Sequence, residues 1–267
     1  MIQRLRFTLL GTGSSGGVPR VGNQWGACDP SNTRNRRRRC SLLVESIQSE
    51  DIKTSVVIDT GADLREQLLS AEVDHLDGVL ITHAHADHIF GMDDLRQLAI
   101  NMRSSITVHM DTTTTQVVKQ AFGYCFNQAP GSSYPPFCNL GHIEHGQSTI
   151  IEGAGGSIEA LPLLAEHGDI HALGFRIGDV AYLPDMKRIT DEASLAALQG
   201  VRVLIVDALR YKHHPTHMNL EDCLAFIDSI KPESAVLTNM HSDMDYDELC
   251  QNLPPHIRPG YDGLQLS

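Results

Sequence analysis

The sequence feature that most constrains this chain is the pattern H-x-H-x-D-H at residues 83–88. It lies at a turn between an apolar run that predicts a strand and a segment that predicts a helix. Side chains two positions apart on an extended backbone point the same way, so His83 and His85 are placed to bind one ion. After the turn, Asp87 and His88 reach a second ion. The alternative is a polar loop that is merely rich in histidine, but loops without a metal rarely concentrate ligands in this way.

The ligand types in this segment indicate which metals it would bind. Imidazole and carboxylate ligands together suit zinc, with manganese or iron as the alternatives. We therefore expect two divalent metal ions as cofactors, Zn²⁺ first and Mn²⁺ second.

Length and charge limit the class of protein. At 267 residues the chain is long enough for one large core, and we expect residues 1–267 to form a single domain. The net charge of −12 argues against binding long nucleic acids through phosphate contacts. A small anionic substrate stays compatible with this charge, because bound metal ions would reverse the local field.

Cysteine usage and hydropathy bear on the compartment. The 6 cysteines form no C-x-x-C pair and no disulfide framework, which is typical of a reducing environment. No apolar run approaches the roughly eighteen residues that a membrane span needs. We therefore expect a cytoplasmic protein without a membrane partner, and homodimer formation is an open expectation.

A glycine-rich stretch at residues 11–19 follows the first predicted strand and matches G-x-G-x-x-G. A dinucleotide fingerprint would need a helix to begin in this loop, and Gly17 and Pro19 block one. Two interpretations stay open. The loop lies near the active site and binds a phosphate through its backbone N–H groups, or it is a plain tight turn.

Residues 36–39 are consecutive arginines in an acidic chain. A solvated charge run is the usual explanation for such a segment. The alternative is that one or two of these arginines pair with a substrate phosphate or with an acidic neighbour.

Residues 123–146 show no periodicity and contain no lysine or arginine. We expect a surface excursion of this length to serve as a lid, an arm or an oligomer contact. The sequence does not choose among these roles.

Metal-binding residue types recur directly after apolar strands along the chain. Layered α/β enzymes gather their pockets from loops at strand ends. Asp59 ends a buried strand, where a carboxylate needs a partner, and we expect it to orient a metal-bound histidine. The residues that follow this pattern are Asp59, His83, His167, Asp185, Asp207 and His241.

The H-x-H-x-D-H pattern resembles the motif of the metallo-β-lactamase fold, the hydrolase superfamily that includes glyoxalase II and ribonuclease Z. This resemblance implies an α/β fold built as a four-layer αββα sandwich. It also implies which residues bind each ion. The first ion takes His83, His85 and His167, the second takes Asp87, His88 and His241, and Asp185 bridges the two.

The whole chain is also similar to one branch of that superfamily, the phosphoribosyl cyclic phosphodiesterases of the carbon–phosphorus lyase pathway (PhnP-type). Where that branch often has Thr-His, this chain has Thr238-Asn239, so we assign the last ligand to His241, two residues further on. The shared features are residues 11–19, the arginines before Cys40, residues 58–61 and residues 260–263.

The resemblance also implies roles beyond metal binding. His217 matches a histidine that contacts the scissile phosphate in that branch, and we expect it to act as a general acid or to stabilise the phosphate, with Asp207 orienting it. The alternative is that His217 only caps or flanks the following helix. Asp87 and Asp185 would lower the net charge of the site so that product phosphate can leave.

Together these resemblances imply a dinuclear metal-dependent phosphodiesterase that acts by hydroxide attack on a small, cyclic phosphodiester, such as a phosphoribosyl cyclic phosphate or a nucleotide. The nearest rival is a ribonuclease Z-like endonuclease that processes transfer RNA, although residues 123–146 lack the basic side chains that clamp RNA. A thioester hydrolase of the glyoxalase II kind and a non-catalytic nucleotide-binding regulator are further alternatives.

Overall fold

The computed structural model describes residues 4–128 and 130–267. In these residues the strands form two sheets of seven strands each. The first sheet contains β1 (Arg4–Gly11), β2 (Ser41–Ser49), β3 (Ile52–Ile58), β4 (Gly78–Leu80), β5 (Ile106–Met110), β6 (Cys138–His142) and β14 (Gln265–Leu266). Their order is β14-β1-β2-β3-β4-β5-β6. Neighbours from β3 to β6 are parallel, and the other pairs are antiparallel.

The second sheet is built in the same way from the later part of the chain. It contains β7 (Thr149–Ile151), β8 (Ile158–His167), β9 (Ile170–Ile177), β10 (Val180–Leu183), β11 (Val203–Asp207), β12 (Ser234–Thr238) and β13 (Ile257–Pro259). The order is β13-β12-β11-β10-β9-β8-β7. Neighbours from β10 to β13 are parallel, and the remaining pairs are antiparallel.

Helices connect the strands and cover the outer faces of both sheets. They are α1 (Leu64–Ser70), α2 (Ala86–Ile89), α3 (Leu95–Met102), α4 (Thr112–Phe126), α5 (Glu192–Ala197), α6 (Leu220–Ile230) and α7 (Tyr246–Asn252). Among the described residues, no helix combines the length and the apolar character needed to cross a bilayer.

The side chains of each strand alternate between two faces of the sheet, and this alternation explains how the sheets and helices form layers. In β2, Leu42 and Val44 belong to a core cluster shared between the two sheets, whereas Leu43 belongs to a cluster that includes Leu64 of α1 and Leu95 of α3. The second sheet divides its residues in the same way between the shared core and a third cluster under α6 and α7. Successive strand residues point to opposite faces, so each sheet buries both faces. The predicted four-layer αββα sandwich is confirmed.

The amphipathic helix expected at residues 220–230 is present as α6. The side chain of Asn219 caps it by accepting a hydrogen bond from the backbone N–H of Asp222 at 2.9 Å. Cys223, Ile227 and Ile230 are buried against the second sheet. Burial of each large apolar side chain contributes about 1.5–3 kcal/mol, so this face fixes α6 on the sheet.

Two short stretches of the expected excursion at residues 123–146 belong to regular elements, and its role as a lid, an arm or an oligomer contact stays a prediction. Its first residues form the end of α4, and Cys138–His142 is the edge strand β6, parallel to β5. Phe137, Cys138 and Ile143 are buried. The sequence C-N-L-G-H of β6 alternates too weakly to predict a strand, because an edge strand has few buried side chains. Ala129 lies outside the described residues.

Parallel pairing brings the carboxyl ends of several strands to one edge of each sheet. The end of β3 leads to Asp59, and β4, its parallel neighbour, leads to His83. In the second sheet, Asp185 follows β10, Asp207 ends β11 and Asn239 follows β12. This geometry positions loops from both sheets to meet in one pocket.

Candidate metal centre

The turn at residues 83–88 brings imidazole rings together just after β4. His83 and His88 are buried, whereas His85 is exposed at the first turn of α2. The Nε2 atom of His83 lies 2.9 Å from the Nδ1 atom of His85. The pairing of these two side chains, expected from their spacing, is therefore present.

His167, the last residue of β8, completes this group from the opposite sheet. Its Nε2 atom lies 3.2 Å from Nδ1 of His85. Its Nδ1 atom lies 2.9 Å from the carbonyl oxygen of Thr216, so Nδ1–H donates there and Nε2 presents a lone pair to the site. The potential ligand atoms of His83, His85 and His167 all lie within 4.8 Å of one another.

A second group of ligand atoms forms around His88. The potential ligand atoms of His83, His88 and Asp185 lie within 4.8 Å of one another. Asp185 Oδ2 is 2.6 Å from Nε2 of His88, yet this buried oxygen has no well-directed hydrogen bond among the described residues. His88 therefore pairs with this oxygen by charge, without a directed hydrogen bond. A metal ion between Asp185 and the histidines would take over that pairing.

Asp59 orients the buried histidines from behind. Its Oδ2 atom accepts a hydrogen bond from Nδ1 of His88 at 2.7 Å, which orients the ring so that Nε2 points toward Asp185. The Thr82 hydroxyl donates to Asp59 at 2.9 Å and lies 3.0 Å from Nδ1 of His83. The expected orienting geometry of Asp59 is confirmed. Thr82 shares this task, and no sequence pattern singled it out.

The charges in this cluster favour a cation. Burial lowers the pKa of His88, but Asp185 and Asp59 outweigh burial and raise it well above its ordinary value. Burial raises the pKa of Asp185, but His88 outweighs burial and lowers that pKa below its ordinary range. Burial lowers the pKa of His83 and of His167, so both rings are neutral. The neutral rings of His83 and His167, beside the ionised carboxylate of Asp185, are donors of the kind that zinc and manganese prefer.

Asp87 lies at the edge of the cluster, half-buried. Its Oδ2 atom is 3.5 Å from Nε2 of His88. Burial raises the pKa of Asp87, but the contact with His88 outweighs burial and lowers it below the ordinary value. Asp87 is therefore ionised at neutral pH and faces the same cavity as His85. Its role as a metal ligand stays a prediction.

His217 enters a third group of potential ligand atoms, together with His167 and Asp185, within 4.8 Å of one another. Its Nδ1 atom lies 2.7 Å from Oδ2 of Asp207, so the expected pair is in contact. Burial raises the pKa of Asp207 to about 6. Burial lowers the pKa of His217, but the hydrogen bond to Asp207 outweighs it and raises the pKa. Asn219 is the cap of α6, so His217 does not serve as that cap.

Asn239 connects the two acidic side chains of the second sheet. Its side-chain amide donates to Oδ1 of Asp185 at 2.7 Å and lies 3.2 Å from Oδ1 of Asp207. It is buried and has a left-handed backbone with φ of 60°, a conformation that asparagine tolerates better than most residues. Asn239 therefore lies within the site, where the related branch often has histidine.

His241 belongs to none of the three groups found in the described residues. Its Nδ1 atom lies 3.1 Å from Oδ1 of Asp243, and its Nε2 atom contacts the guanidinium of Arg20. The expectation that His241 follows strand alternation fails because β12 ends before Asn239, whose backbone is left-handed. The geometry therefore leaves His241 outside the donor cluster, and it places His217 beside His167 and Asp185.

The donors open into a cavity of about 390 Å³ that Ser14 and Ser15 of the glycine-rich loop also line. The backbone N–H groups of Gly13, Ser14 and Val18 already donate to carbonyl oxygens elsewhere in the protein. The next helical residues after β1 are Thr33–Asn35, well beyond the loop. The dinucleotide fingerprint is therefore excluded, and these N–H groups are not available to a phosphate.

Two of the four consecutive arginines at residues 36–39 form ion pairs with acidic side chains. Arg38 lies 3.1 Å from Asp262, and Arg39 lies 3.0 Å from Asp63. Arg37 is buried and directs its guanidinium toward the carbonyl oxygen of His241 at 3.5 Å. The interpretation that acidic neighbours pair with one or two of these arginines is confirmed.

Comparison with known families decides the classification. The family model described as "Beta-lactamase superfamily domain" matches residues 54–240, which include the H-x-H-x-D-H turn and both halves of the site. The chain belongs to the beta-lactamase superfamily. The predicted metallo-β-lactamase fold is thereby confirmed.

Comparison with solved structures shows which members of the superfamily the chain is similar to. The crystal structure of a diphosphatase from the PhnP family is 32% identical, with a TM-score of 0.86 and coverage of 99% of this chain and 98% of that one. The predicted PhnP-type resemblance is confirmed. Zinc-bound PqqB from Methylobacterium extorquens has a TM-score of 0.72 at 17% identity, with coverage of 98% and 99%. At this identity the second match shows the shared fold alone.

Two curated relatives carry other names. An octanoyltransferase of Porphyromonas gingivalis is 35% identical over 263 residues, which are 98% of this chain and 51% of that protein. A ribonuclease Z of Bradyrhizobium diazoefficiens is 29% identical over 151 residues, which are 55% of this chain and 45% of that protein. The chain thus spans about half the length of these two relatives.

Proposed function

We propose that this chain is a metal-dependent phosphodiesterase that hydrolyses a small phosphodiester, such as a phosphoribosyl cyclic phosphate or a nucleotide. One observation carries the proposal. The donors His167 and Asp185 of the second sheet meet the 83–88 turn of the first, with Asp185 Oδ2 2.6 Å from Nε2 of His88 and without a well-directed hydrogen bond in the described residues. Such convergence of imidazole and carboxylate oxygen is typical of a metal centre.

The donor groups would hold two divalent ions, with zinc first and manganese as the alternative. Two such ions, when bound, supply a water of pKa near 7 and stabilise charge on phosphoryl oxygens. The orienting bonds from Asp59 to His88 and from Thr216 to His167 fix the ring nitrogens that face the site. By resemblance, His83, His85 and His167 would hold one ion, Asp87 and His88 would hold the other, and Asp185 would serve both.

His217 and Asp207 would handle the proton of the leaving group. Asp207 accepts from Nδ1 of His217 at 2.7 Å, which leaves Nε2 as the atom that gives a proton to the departing oxygen. The bond to Asp207 outweighs burial and raises the pKa of His217, which favours the protonated ring that this role requires. Asp207 thus orients the ring and stabilises its charge.

Two observations support the proposed substrate class, namely the size of the cavity and the name of one similar structure. A cavity of about 390 Å³ suits a small molecule. The 32% identical structure is named as a diphosphatase, and that name supports phosphoester chemistry here. Octanoyl transfer receives less support, because the chain spans only 51% of the protein of that name.

A ribonuclease Z-like endonuclease is the second candidate, because a protein of that name is 29% identical over 151 residues. Two observations weigh against it. Residues 123–146 contain no lysine or arginine, and residues 123–126 and 138–142 of this segment belong to α4 and β6. An arm that binds transfer RNA needs basic side chains.

Hydrolysis of bis(p-nitrophenyl) phosphate by the zinc- or manganese-loaded protein tests the proposal. We expect turnover that a chelator abolishes and that metal restores. The variant His85→Ala should lose both bound metal and turnover, whereas the matched control His145→Ala should keep them, because His145 is exposed and pairs with Asp191 at 3.3 Å. Turnover that survives complete metal removal would contradict the proposal.

A direct comparison of substrates separates the candidates. We expect a cyclic ribose phosphate to be cleaved and precursor transfer RNA to stay intact under the same conditions. Cleavage of precursor transfer RNA alone would favour the endonuclease. Binding of nucleotides without turnover of any phosphodiester would indicate a regulator.

A further inference from the structure

A second cavity lies between α3 and the chain that links α4 to β6. Its volume is about 430 Å³, which is in the range of small-molecule sites. It shares no lining residue with the cavity of the metal donors. The proposed function therefore leaves this second cavity without a role.

Main-chain hydrogen bonds hold the walls of this cavity. The N–H of Phe137 donates to the carbonyl oxygen of Cys125 at 3.0 Å, and the N–H of Ile106 donates to that of Phe137 at 3.1 Å. These bonds tie one wall to both α4 and β5. On the other side, the N–H of Ser104 donates to the carbonyl oxygen of Ala99 at 3.1 Å, just after the end of α3. The cavity is therefore formed in the absence of a ligand.

Aromatic side chains make up much of the apolar wall. Tyr134 is 75% exposed and Tyr124 is 45% exposed, although both line the cavity. The rings of Tyr124 and Phe137 lie with their centroids 6.4 Å apart. Exposed apolar surface at a concave site is typical of a ligand-binding groove, and aromatic rings stack on planar apolar ligands.

The charge of the cavity is positive, although the protein carries a net charge of −12. Among the described residues that line the cavity, two are arginines and none is acidic. Arg103 is exposed at the end of α3, where its backbone is left-handed with φ of 55°. It has no ion pair within the part of the chain that the structure describes. Its guanidinium is therefore available to an anion.

Arg96 supplies an independent observation. Its guanidinium lies 5.2 Å from the ring centroid of Phe137 and 5.9 Å from that of Tyr124. One terminal nitrogen donates to Oδ1 of Asp93 at 2.8 Å, but Nε is buried and has no hydrogen-bond partner among the described residues. Buried N–H groups are normally satisfied, and a ligand oxygen in this cavity would satisfy this one.

We propose that this cavity binds a small aromatic carboxylate. The rings of Tyr124 and Tyr134 would contact the planar body of the ligand, and Arg103, with the Nε–H of Arg96, would bind its carboxylate. A phosphate ester fits less well, because Arg96 already shares its charge with Asp93 and much of the wall is apolar. This inference goes beyond the proposed function and does not depend on it.

Calorimetric titration of the full chain tests the site. The probes are 2-naphthoate and 2-naphthalenemethanol, which share a two-ring body and differ in the carboxylate. We expect 2-naphthoate to bind at least about 10-fold more tightly, the size of a charged hydrogen bond. Arg103→Asn should remove most of this preference, because asparagine tolerates the left-handed backbone but carries no charge. Arg103→Lys should retain part of it, because it keeps the charge but loses the forked geometry.

Two further variants separate the ring contacts from the charge. Tyr134→Ala should weaken the binding of both probes by about 2–10-fold, because it removes an aromatic wall and leaves Arg103 in place. Tyr134 is largely exposed, so its replacement leaves the core intact. Arg202→Ala is the matched control. It removes an arginine that pairs with Asp179 at 2.6 Å, and it should leave both dissociation constants unchanged.

A comparison of metal-loaded and chelator-treated protein separates this site from the metal donors, since a carboxylate also binds metal ions. We expect the same affinity for 2-naphthoate in both forms, whether or not the protein hydrolyses a phosphodiester. Binding to the metal-loaded form alone would place the ligand at the metal donors and overturn the inference. Equal affinity of the parent for the two probes, or an unchanged preference in Arg103→Asn, would overturn it as well. Affinity that falls as protein concentration rises would show that a second copy of the chain covers the cavity, with the same consequence.

Discussion

The two halves of the site are assembled in different ways. The first half comes from one turn at residues 83–88, where Asp59 and Thr82 orient the histidines from directly behind. The second half comes from separate loops between β8 and the region after β12. Its members are held by unlike partners, including the carbonyl oxygen of Thr216 for His167 and the Asp207 carboxylate for His217.

This difference shows what local sequence can encode. In the first half, spacing within six residues decides which side chains share an ion, because strand and turn geometry are local. In the second half, the donors are brought together by the pairing of β10, β11 and β12, so spacing along the chain carries no such information. Asp185 and His167 are the residues through which the halves meet.

Substitution of Asp185 should have the largest effect on activity. Asp185→Asn removes the carboxylate charge with almost no change of shape, and we expect phosphodiester hydrolysis to fall to the uncatalysed background. The loss should exceed the roughly 10–100-fold cost of removing an orienting partner, because Asp185 faces both halves. Bound metal, measured by mass spectrometry of the digested protein, should fall in parallel. Full metal content with unchanged turnover would contradict the account.

The assignment within the second half is sharpened by comparing two histidines. We expect His217→Ala to lower kcat by about 10²–10⁴-fold, the usual contribution of a general acid. His241→Ala should change kcat much less, because His241 contacts Arg20 and Asp243 rather than the donor cluster. Steady-state kinetics on bis(p-nitrophenyl) phosphate measure both. If His241→Ala were the more damaging variant, the original assignment of His241 as ligand would regain support.

The first half of the site can be tested through Asp59, which orients His88. Asp59→Asn weakens the bond that orients His88, so metal affinity should fall by about 10–100-fold while the fold persists. Competition with a fluorescent chelator gives the affinity. Asp179→Asn is the matched control, because Asp179 is an exposed carboxylate that pairs with Arg202 at 2.6 Å and should leave the affinity unchanged.

The smallest effect concerns stability. Metal at about 100 times its dissociation constant stabilises a native site by about 2.7 kcal/mol, which for a domain of this size is a shift in Tm of about 5–10 °C. Differential scanning calorimetry with and without chelator should show this decrease in the parent. The decrease should be much smaller in Asp185→Asn. An identical shift of Tm in both proteins would show that the stabilising metal binds somewhere other than at this cluster, which would contradict the account.

The fold and the first half of the site could be predicted from the sequence, because their geometry is set by residues that are close together in the chain. The edge strand β6 and the position of His241 could not be predicted in this way. Alternating apolar strands and the amphipathic α6 show their buried faces directly in the residue pattern. The edge strand Cys138–His142 buries too little to do so. Asn239 has a left-handed backbone, so the alternation of side chains along β12 does not continue to His241. His241 contacts Arg20 instead, and the residue pattern does not indicate this contact.

The central claim is that the two sheets jointly enclose a pair of metal ions. Anomalous diffraction at the zinc edge, from crystals grown with zinc, tests it most directly. We expect two peaks, one against His83, His85 and His167 and one against Asp87 and His88, with Asp185 in contact with both. A peak pattern that excludes Asp185, or zinc bound only elsewhere on the protein, would contradict the claim.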